Sequence, residues 1–283
     1  MSHGSPIDID STLAPFDQYT TIQRLAAARS GHVSWEHARH QLYAARDKRT
    51  RATVLIKVMS KPGLVYEQDL ANEMATLSTI NRELPESRYF PTLWEHGRLR
   101  DERIYLVMSL FHEWPLATSV GPERVPARQR AQLRTAIEVA GALAQLHCLK
   151  IWHVDLNPMN ILGRWEGGKP VIRIVDFESS YETARHGGGV SYNPPTTTAF
   201  SAPELSRQAP DARSDVFSLG AVLYTMLAGY DWTWRADVGQ CVAADAEVNP
   251  ELKAILLTAV HPDPGRRHPS IVEFRVALDE YLK

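Results

Sequence analysis

The run Ile151-Trp152-His153-Val154-Asp155-Leu156-Asn157-Pro158-Met159-Asn160-Ile161-Leu162 gathers side chains suited to one kind of chemistry. An imidazole is followed two residues later by a carboxylate, five residues after that by a carboxamide, and then by an apolar stretch. A second carboxylate comes in Ile174-Val175-Asp176-Phe177-Glu178. Asp155 can orient a hydroxyl nucleophile and finally take its proton. Asn160 and Asp176 offer hard oxygen ligands able to hold magnesium on a polyphosphate. Those are the parts phosphoryl transfer needs, because that step is catalysed mainly by positioning and by charge stabilisation. Upstream, Lys57 lies inside the β-branched, apolar run Thr53 to Val58. A cation there must find a partner or face a cleft. Glu73 is the favoured partner over Glu67, because it heads the apolar pattern Met74, Leu77, Ile80.

These residues need elements to hold them. Residues 1–18 carry Gly, Ser, Pro and Asp without periodicity and read as a tail. From Tyr19 to Met59 the pattern favours strands, with Thr53 to Val58 the clearest. Lys61-Pro62-Gly63 reads as a turn, followed by a helix to about Ile80 with Leu70, Met74, Leu77 and Ile80 on one side. Arg103 to Met108 reads as a buried strand. The chain then becomes mainly helical. Residues 126–149 carry an apolar stripe of Leu133, Ile137, Ala140, Leu143 and Leu146. Ser214-Asp215 reads as a capping pair ahead of a helix that Gly229 ends. Asn249-Pro250-Glu251 opens another helix, and the last runs from about Pro269 to Leu282. No internal repeat is visible. The chemistry-bearing stretches fall where a strand-rich part gives way to a helical one, which is where a cleft would form.

Bulk properties narrow the function classes. A formal net charge of -2 over 283 residues argues against a general nucleic-acid binder. Two cysteines, Cys148 and Cys241, give no disulfide framework and fit a reducing compartment such as the cytoplasm. No apolar run is long enough for a membrane span, and no charged start with an apolar core marks a signal peptide.

The spacing H-x-D-x-x-x-x-N followed by D-F-x resembles the catalytic loop and metal-binding motif of the protein kinase family, in its eukaryotic-type Ser/Thr branch. Ala202-Pro203-Glu204, Ser214-Asp215-Val216-Phe217-Ser218-Leu219-Gly220 and Asp263-Pro264-Gly265-Arg266-Arg267 resemble later motifs of that family. The resemblance covers about residues 19 to 283. It implies an α+β, two-lobed fold: a tail at 1–18, a small β-rich N-lobe with one helix at 19–108, and the hinge with a mainly helical C-lobe at 109–283. It implies that Lys57 and Glu73 hold the α- and β-phosphates of ATP. Asp155 would be the catalytic carboxylate, aided by Lys57 and Asn160, with Asn160 and Asp176 on magnesium. Met108 would be the gatekeeper, Ser109, Leu110 and Phe111 the adenine-binding hinge, and Leu55 and Leu162 further nucleotide contacts. His153 and Phe177 would pack in a stack, Asp215 would hold the catalytic-loop backbone, and Arg267 would pair with Glu204.

The sequence also departs from the family. Leu25 to Val33, where a glycine-rich loop belongs, holds one glycine. Glycines let backbone N–H groups approach phosphates, and alanines do so less well. Leu55 stands where an alanine touches adenine. Val154 replaces the arginine before Asp155, which argues against a phosphate switch in the activation segment. Asn157 replaces a lysine aimed at the γ-phosphate, and Glu178 replaces a glycine. Three readings follow. The first is an ATP- and magnesium-dependent kinase acting on Ser or Thr hydroxyls of a protein, its own included. The second is a pseudokinase scaffold for a regulatory protein partner. The third is a small-molecule kinase, suggested by Asn157 and Glu178 and opposed by Glu204 and Arg267. Within the segment Asp176 to Glu204, Ser191 and Thr197 are candidate phosphorylation sites, and Thr197 matches a threonine that contacts the catalytic Asp. His32, His37 and His40 lack a completing ligand and read as surface rather than metal site. Arg46, Lys48, Arg49 and Arg51 read as an exposed hairpin tip.

Overall fold

The computed structural model describes residues 9, 14–25, 40–119, 128–187, 192, 195, 198–231 and 236–283. Contacts divide the chain into two compact units. Met1–Asn81 with Pro91–Phe111 forms one, and Arg82–Phe90 with His112–Lys283 the other. The division differs from the single boundary expected after Met108. Arg82–Phe90 goes with the later unit because its polar groups find partners there. Ile174 donates its N–H to Tyr89 O at 2.8 Å, and the Tyr89 hydroxyl and Arg88 guanidinium both donate to Glu138.

The first unit is a five-stranded antiparallel sheet with one long helix. Its elements are β1 (Tyr19–Arg24), β2 (His40–Asp47), β3 (Thr53–Met59), α1 (Leu64–Glu83), β4 (Leu93–Arg98) and β5 (Ile104–Ser109), in the order β1-β2-β3-β5-β4. β3 is central, with Lys57 opposite Leu42 on one side and Leu106 on the other. Its β-branched residues Val54, Ile56 and Val58 are fully buried, as a central strand requires. The expected tail is shorter than 18 residues. Phe16 is buried in the sheet's core cluster and meets the Tyr105 ring edge-on at 5.3 Å. Glu95 ties this segment down by accepting from Gln18, Tyr19 and Tyr105. The basic residues 46–51 occupy the β2–β3 hairpin, where Asp47 accepts the Thr50 N–H.

The second unit begins with β6 (Trp114–Pro115), α2 (Leu116–Ser119), α3 (Gln129–Cys148), β7 (Ile151–Trp152), β8 (Ile161–Glu166) and β9 (Lys169–Ile174). It continues through β10 (Tyr181–Glu182), α4 (Thr183–His186), α5 (Ala212–Ala228), α6 (Val238–Ala244), α7 (Pro250–Ala259) and α8 (Ile271–Leu282). β6, β8 and β9 form a small antiparallel sheet, and β7 pairs with β10. Gly167 and Gly168, at φ +57° and +75°, make the two-residue β8–β9 turn, a conformation side-chain-bearing residues resist. α3 packs against α5, α8 and β9, and buries Leu133, Ala140, Leu143 and Leu146.

α5 is buried on nearly every side, so it is the axis of the second unit. Its start corrects the expectation for Ser214-Asp215. Asp211 is the N-cap, accepting the Arg213 N–H at 2.8 Å, and Ser214 and Asp215 lie buried one turn inside. Their polar atoms serve distant partners rather than the helix end. Gly229 closes the helix at φ +70°, as expected. Asn249 and Pro250 open α7, and Ser270 caps α8.

Gly220 sits where α5 crosses α7: a Cβ there would meet Ala259 Cβ at 2.9 Å and Val260 Cγ1 at 3.0 Å. In an exposed helix, Gly→Ala gains roughly 1 kcal/mol. Here Gly220→Ala is expected to lose roughly 1–3 kcal/mol by overpacking. Urea unfolding checks this, and unchanged or increased stability would contradict the close crossing.

Candidate functional site

In the first unit, β3 and α1 bring Lys57 and Glu73 together. Lys57 Nζ donates to Glu73 Oε2 at 2.7 Å, and both residues are buried. The buried face of α1 (Leu70, Leu77, Ile80) fixes the helix roll that presents Glu73. Glu67 pairs instead with Arg98 at 3.3 Å, which agrees with the preference for Glu73. A buried ion pair is held in place because separating it would leave an unpaired charge. Met108 is buried at the end of β5, opposite Leu55 of β3. Ser109 is clasped to Thr92 by two hydrogen bonds, N–H to Thr92 O and Oγ from Thr92 N–H. Leu110 and Phe111 follow, past the end of the ladder.

In the second unit, the loop from His153 to Asn160 is organised by Asp215 of α5. Its carboxylate accepts the His153 N–H at 2.9 Å and the Val154 N–H at 2.8 Å, and Oδ2 also lies 2.9 Å from His147 Nε2. Burial works to raise the Asp215 pKa, but the His147 hydrogen bond and charge outweigh it and hold the carboxyl below its usual range. Val154 has φ +69°, a strained conformation for a β-branched residue. The strain persists because both amides are held at a buried charge. His153 Nε2–H donates to Val175 O at 3.1 Å, and burial keeps its imidazole pKa low. Its ring lies 5.1 Å from Phe177, which meets Phe90 at 6.0 Å, forming the expected packed stack.

Asp155 is presented at the end of this loop. Asn160 Nδ2 donates to Asp155 O at 2.9 Å and lies 3.4 Å from Oδ2, while Asn157 Nδ2 donates to the same carbonyl at 3.0 Å and lies 3.5 Å from Oδ1. Asn157, which stands where the resemblance implies a lysine aimed at the γ-phosphate, is thus turned to Asp155. Desolvation, then the charges of Asp176 and Glu178, push the Asp155 pKa up to about 7, against hydrogen bonds from Asn157 and Asn160 that lower it. Since the Asn160 amide N–H group is turned to Asp155, its Oδ1 remains as an oxygen donor. Carboxylate oxygens of Asp176 and Glu178 lie within 4.8 Å of each other, and Asp176 has φ +68°. Carboxylates that close favour a shared cation, and an all-oxygen donor set fits magnesium. Leu162, on β8 two residues past Asn160, is half-buried beside Pro115 in the ladder.

Downstream, Arg267 forms a two-armed pair with Glu204, at 2.8 and 2.7 Å, and Ser214 Oγ donates to Glu204 at 2.8 Å. Burial opposes ionisation of Glu204, but the Arg267 hydrogen bonds and charge outweigh it and lower the pKa. Ser218 Oγ donates to Phe200 O, so α5 also anchors the end of the segment that begins at Asp176. Sequence reasoning missed an aromatic cluster in that segment. Tyr181 stacks on His186 at 4.8 Å, and Tyr192 meets Tyr181 edge-on at 5.3 Å. Burial, then Asp215 and Asp155, raise the Tyr192 pKa. The spacing of the three aromatics over residues 181–192 was the available signal, but it matches no single helix or strand period. His40, at the start of β2, meets the Tyr66 ring edge-on. The glycine-poor stretch after Leu25, His32, His37, Ser191 and Thr197 lie outside the described residues.

A family model described as the protein kinase domain matches residues 39–270. Among curated proteins, the chain is similar to ribosomal protein S6 kinase alpha-2 of Homo sapiens, 39% identical over 129 residues, covering 45% of this chain and 17% of that protein. The Mus musculus protein of the same name is 33% identical over 185 residues, covering 65% and 24%. The matches thus span about a quarter or less of the length of these relatives. Among solved structures, the Mycobacterium tuberculosis PknI kinase domain, as a double mutant, superposes with a TM-score of 0.66 at 20% identity, covering 93% of this chain and 95% of that one. At that identity the likeness speaks to fold alone, a β-sheet N-lobe and a helical C-lobe.

The Asp155 shift has a consequence for stability. The folded pKa, about 7, lies above the ordinary 3.8, so folding favours the protonated acid. The cost of ionising it grows as pH rises above the unfolded value and is complete above the folded one. Asp155→Asn removes that cost. The variant is expected to be more stable than the parent at pH 8 by on the order of 1–3 kcal/mol, the gain vanishing near pH 4. Urea unfolding without nucleotide or metal checks this, and a variant less stable at pH 8 contradicts it.

Proposed function

We propose, for a chain that belongs to the protein kinase family, an ATP- and magnesium-dependent transfer of the γ-phosphate to Ser or Thr hydroxyls of a protein, its own included. The observation that carries this reading is the joint retention of five costly polar groups: in the first unit Lys57 on Glu73, and in the second Asp155 beside Asn160 and near Asp176. Unpaired or crowded charge is expensive to keep, and a chain relieved of catalysis has no physical reason to keep all five.

The roles follow from the chemistry. Lys57, oriented by Glu73, binds the α- and β-phosphates. The backbone at Ser109, Leu110 and Phe111 receives adenine, with Leu55, Met108 and Leu162 supplying apolar contact. Asn160 Oδ1 and Asp176 hold magnesium, which when bound neutralises charge across the phosphates. Asp155 accepts a hydrogen bond from the acceptor hydroxyl, aligns it for in-line attack, and takes its proton as the new P–O bond forms and the bond to the β-phosphate oxygen breaks. Asn157 holds the Asp155 carboxylate where the family places a lysine, so charge on the γ-phosphate must be met mainly by the metal site and Lys57. The Glu204–Arg267 pair supports a protein acceptor over a small molecule, because in the family it shapes a peptide-docking surface. Two unpaired cysteines suit a reducing compartment such as the cytoplasm, and no helix among the described residues is long and apolar enough to cross a membrane.

A second reading, a nucleotide-binding scaffold without turnover, draws on the Glu178 carboxylate beside Asp176. Intact mass after incubation with ATP and magnesium separates the two. Mass gain in steps of one phosphate is expected, with Asp155→Asn reducing the rate roughly 10²–10⁴-fold while ATP binding persists. No gain in either protein, and no phosphorylation of an added Ser/Thr peptide, would favour the scaffold. Because the carboxylate form is required, kcat/KM should fall on acidification through about pH 7. A profile flat from pH 8 to pH 6 would contradict Asp155 as the proton acceptor.

A further inference from the structure

We infer that the second unit carries a docking groove for a short acidic, apolar peptide of a partner protein, on the face of β6, β8 and β9 beside the start of α3. The groove encloses about 670 Å³. Trp114, Leu116, Gly163, Trp165, Pro170 and Ile172 supply much of its wall. None of these residues takes part in the chemistry proposed above, apart from the neighbouring strand position of Leu162.

Three observations converge. The first is two large indoles left in water. Trp114 is 71% exposed and Trp165 47%. Single exposed apolar residues are ordinary, but two tryptophans on one face of the small sheet beside a cavity mark a binding surface, since Trp dominates interface energetics. Trp114 faces Gly163 across the β6–β8 ladder, and Trp165 is two residues further along the same face of β8. A Cβ at Gly163 would sit 3.0 Å from Leu116 Cδ2, so Leu116 covers the glycine closely and supplies an apolar floor between the indoles.

The second observation is that the neutral polar side chains of the wall each already donate a hydrogen bond within the protein. Gln132 donates to Met226 O at 2.7 Å, Thr135 to Ala131 O at 3.0 Å and Thr118 to Pro115 O at 2.8 Å. The groove therefore selects an apolar side chain rather than a hydrogen-bonding one.

The third is charge, which names the occupant. Among the described residues, two arginines and no carboxylate line the groove. Arg164 is engaged by Glu166 at 2.8 Å and Glu113 at 3.4 Å. Arg128 is exposed and has no ion-pair partner among the described residues. It stands at the start of α3, which has neither a side-chain cap nor an acid in its first turn, so the helix end adds to the positive field. An apolar residue between the indoles with a carboxylate reaching Arg128 satisfies both features.

The test uses the full chain and three fluorescein-labelled decapeptide pools, read by anisotropy. One pool fixes Leu-Pro followed by two Glu, the second puts Lys for Glu, and the third puts Ser for Leu-Pro. The acidic apolar pool is expected to bind at least tenfold better than the others. Trp165→Ala should remove that binding, and Arg128→Glu should shift preference to the lysine pool, with phosphorylation of a generic Ser/Thr peptide unchanged in both. Equal binding of the acidic and lysine pools, or indifference to both substitutions, overturns the inference. So does self-association of the full chain that Trp165→Ala abolishes, which would assign the face to a second copy. Binding that appears only after residues 120–127 are replaced by Gly-Ser overturns it as well. A chain that phosphorylates nothing yet keeps the peptide preference would sink the proposed function and leave this site standing.

Discussion

The buried carboxylate of Asp215 is the interaction on which the second unit's chemistry depends. It lies in the axial helix α5 and reaches the backbone of the loop that carries Asp155, accepting the N–H groups of His153 and Val154. A fully buried charge is tolerated only when its lone pairs are used, and here His147 completes the set. The arrangement runs both ways. The loop satisfies the charge, and the charge holds Val154 in a backbone conformation it would otherwise leave. The same helix reaches Glu204 through Ser214 and Phe200 through Ser218, so one rigid element holds the Asp155 loop and also the later end of the segment between Asp176 and Glu204.

Around Asp155 the forces are opposed rather than harmonious. Desolvation and two neighbouring carboxylates push its proton affinity up, while Asn157 and Asn160 pull it down. A carboxylate poised near neutrality can take a proton at working pH, which an ordinary aspartate does poorly. Folding therefore disfavours the ionised form of Asp155. Asn157 shows how a departure from a familiar pattern changes a role: the position carries no cation, and its amide turns instead to Asp155.

Much of this was legible in the sequence, for particular reasons. The strand around Lys57, the α1 stripe and the spacing from His153 to Asp176 are local patterns, and local patterns survive into the fold. The pairings of Lys57 with Glu73 and of Arg267 with Glu204 came from the family resemblance together with the apolar phase of α1. Ser214-Asp215 was misread because a Ser-Asp pair before an apolar run fits an N-cap. What overrode that pattern was a demand from residues more than sixty positions earlier, which no local window contains. Phe16 was read as tail for the related reason that one aromatic in a short turn carries no periodicity, although Tyr105 and the sheet core give it a place. The Tyr181–His186–Tyr192 cluster and the assignment of Arg82–Phe90 to the second unit depend likewise on tertiary pairing.

The claim that Asp215 holds the loop carrying Asp155 is tested most directly by amide hydrogen exchange at His153 and Val154, in the parent chain and in Asp215→Asn. The substitution keeps the side chain's volume but replaces one acceptor oxygen with a donor. Strong protection of both amides in the parent is expected, with loss at one or both in the variant while the amides in the middle of α5 stay protected. Equal protection of His153 and Val154 in the two proteins would contradict the account, because the loop would then be held by something other than this carboxylate.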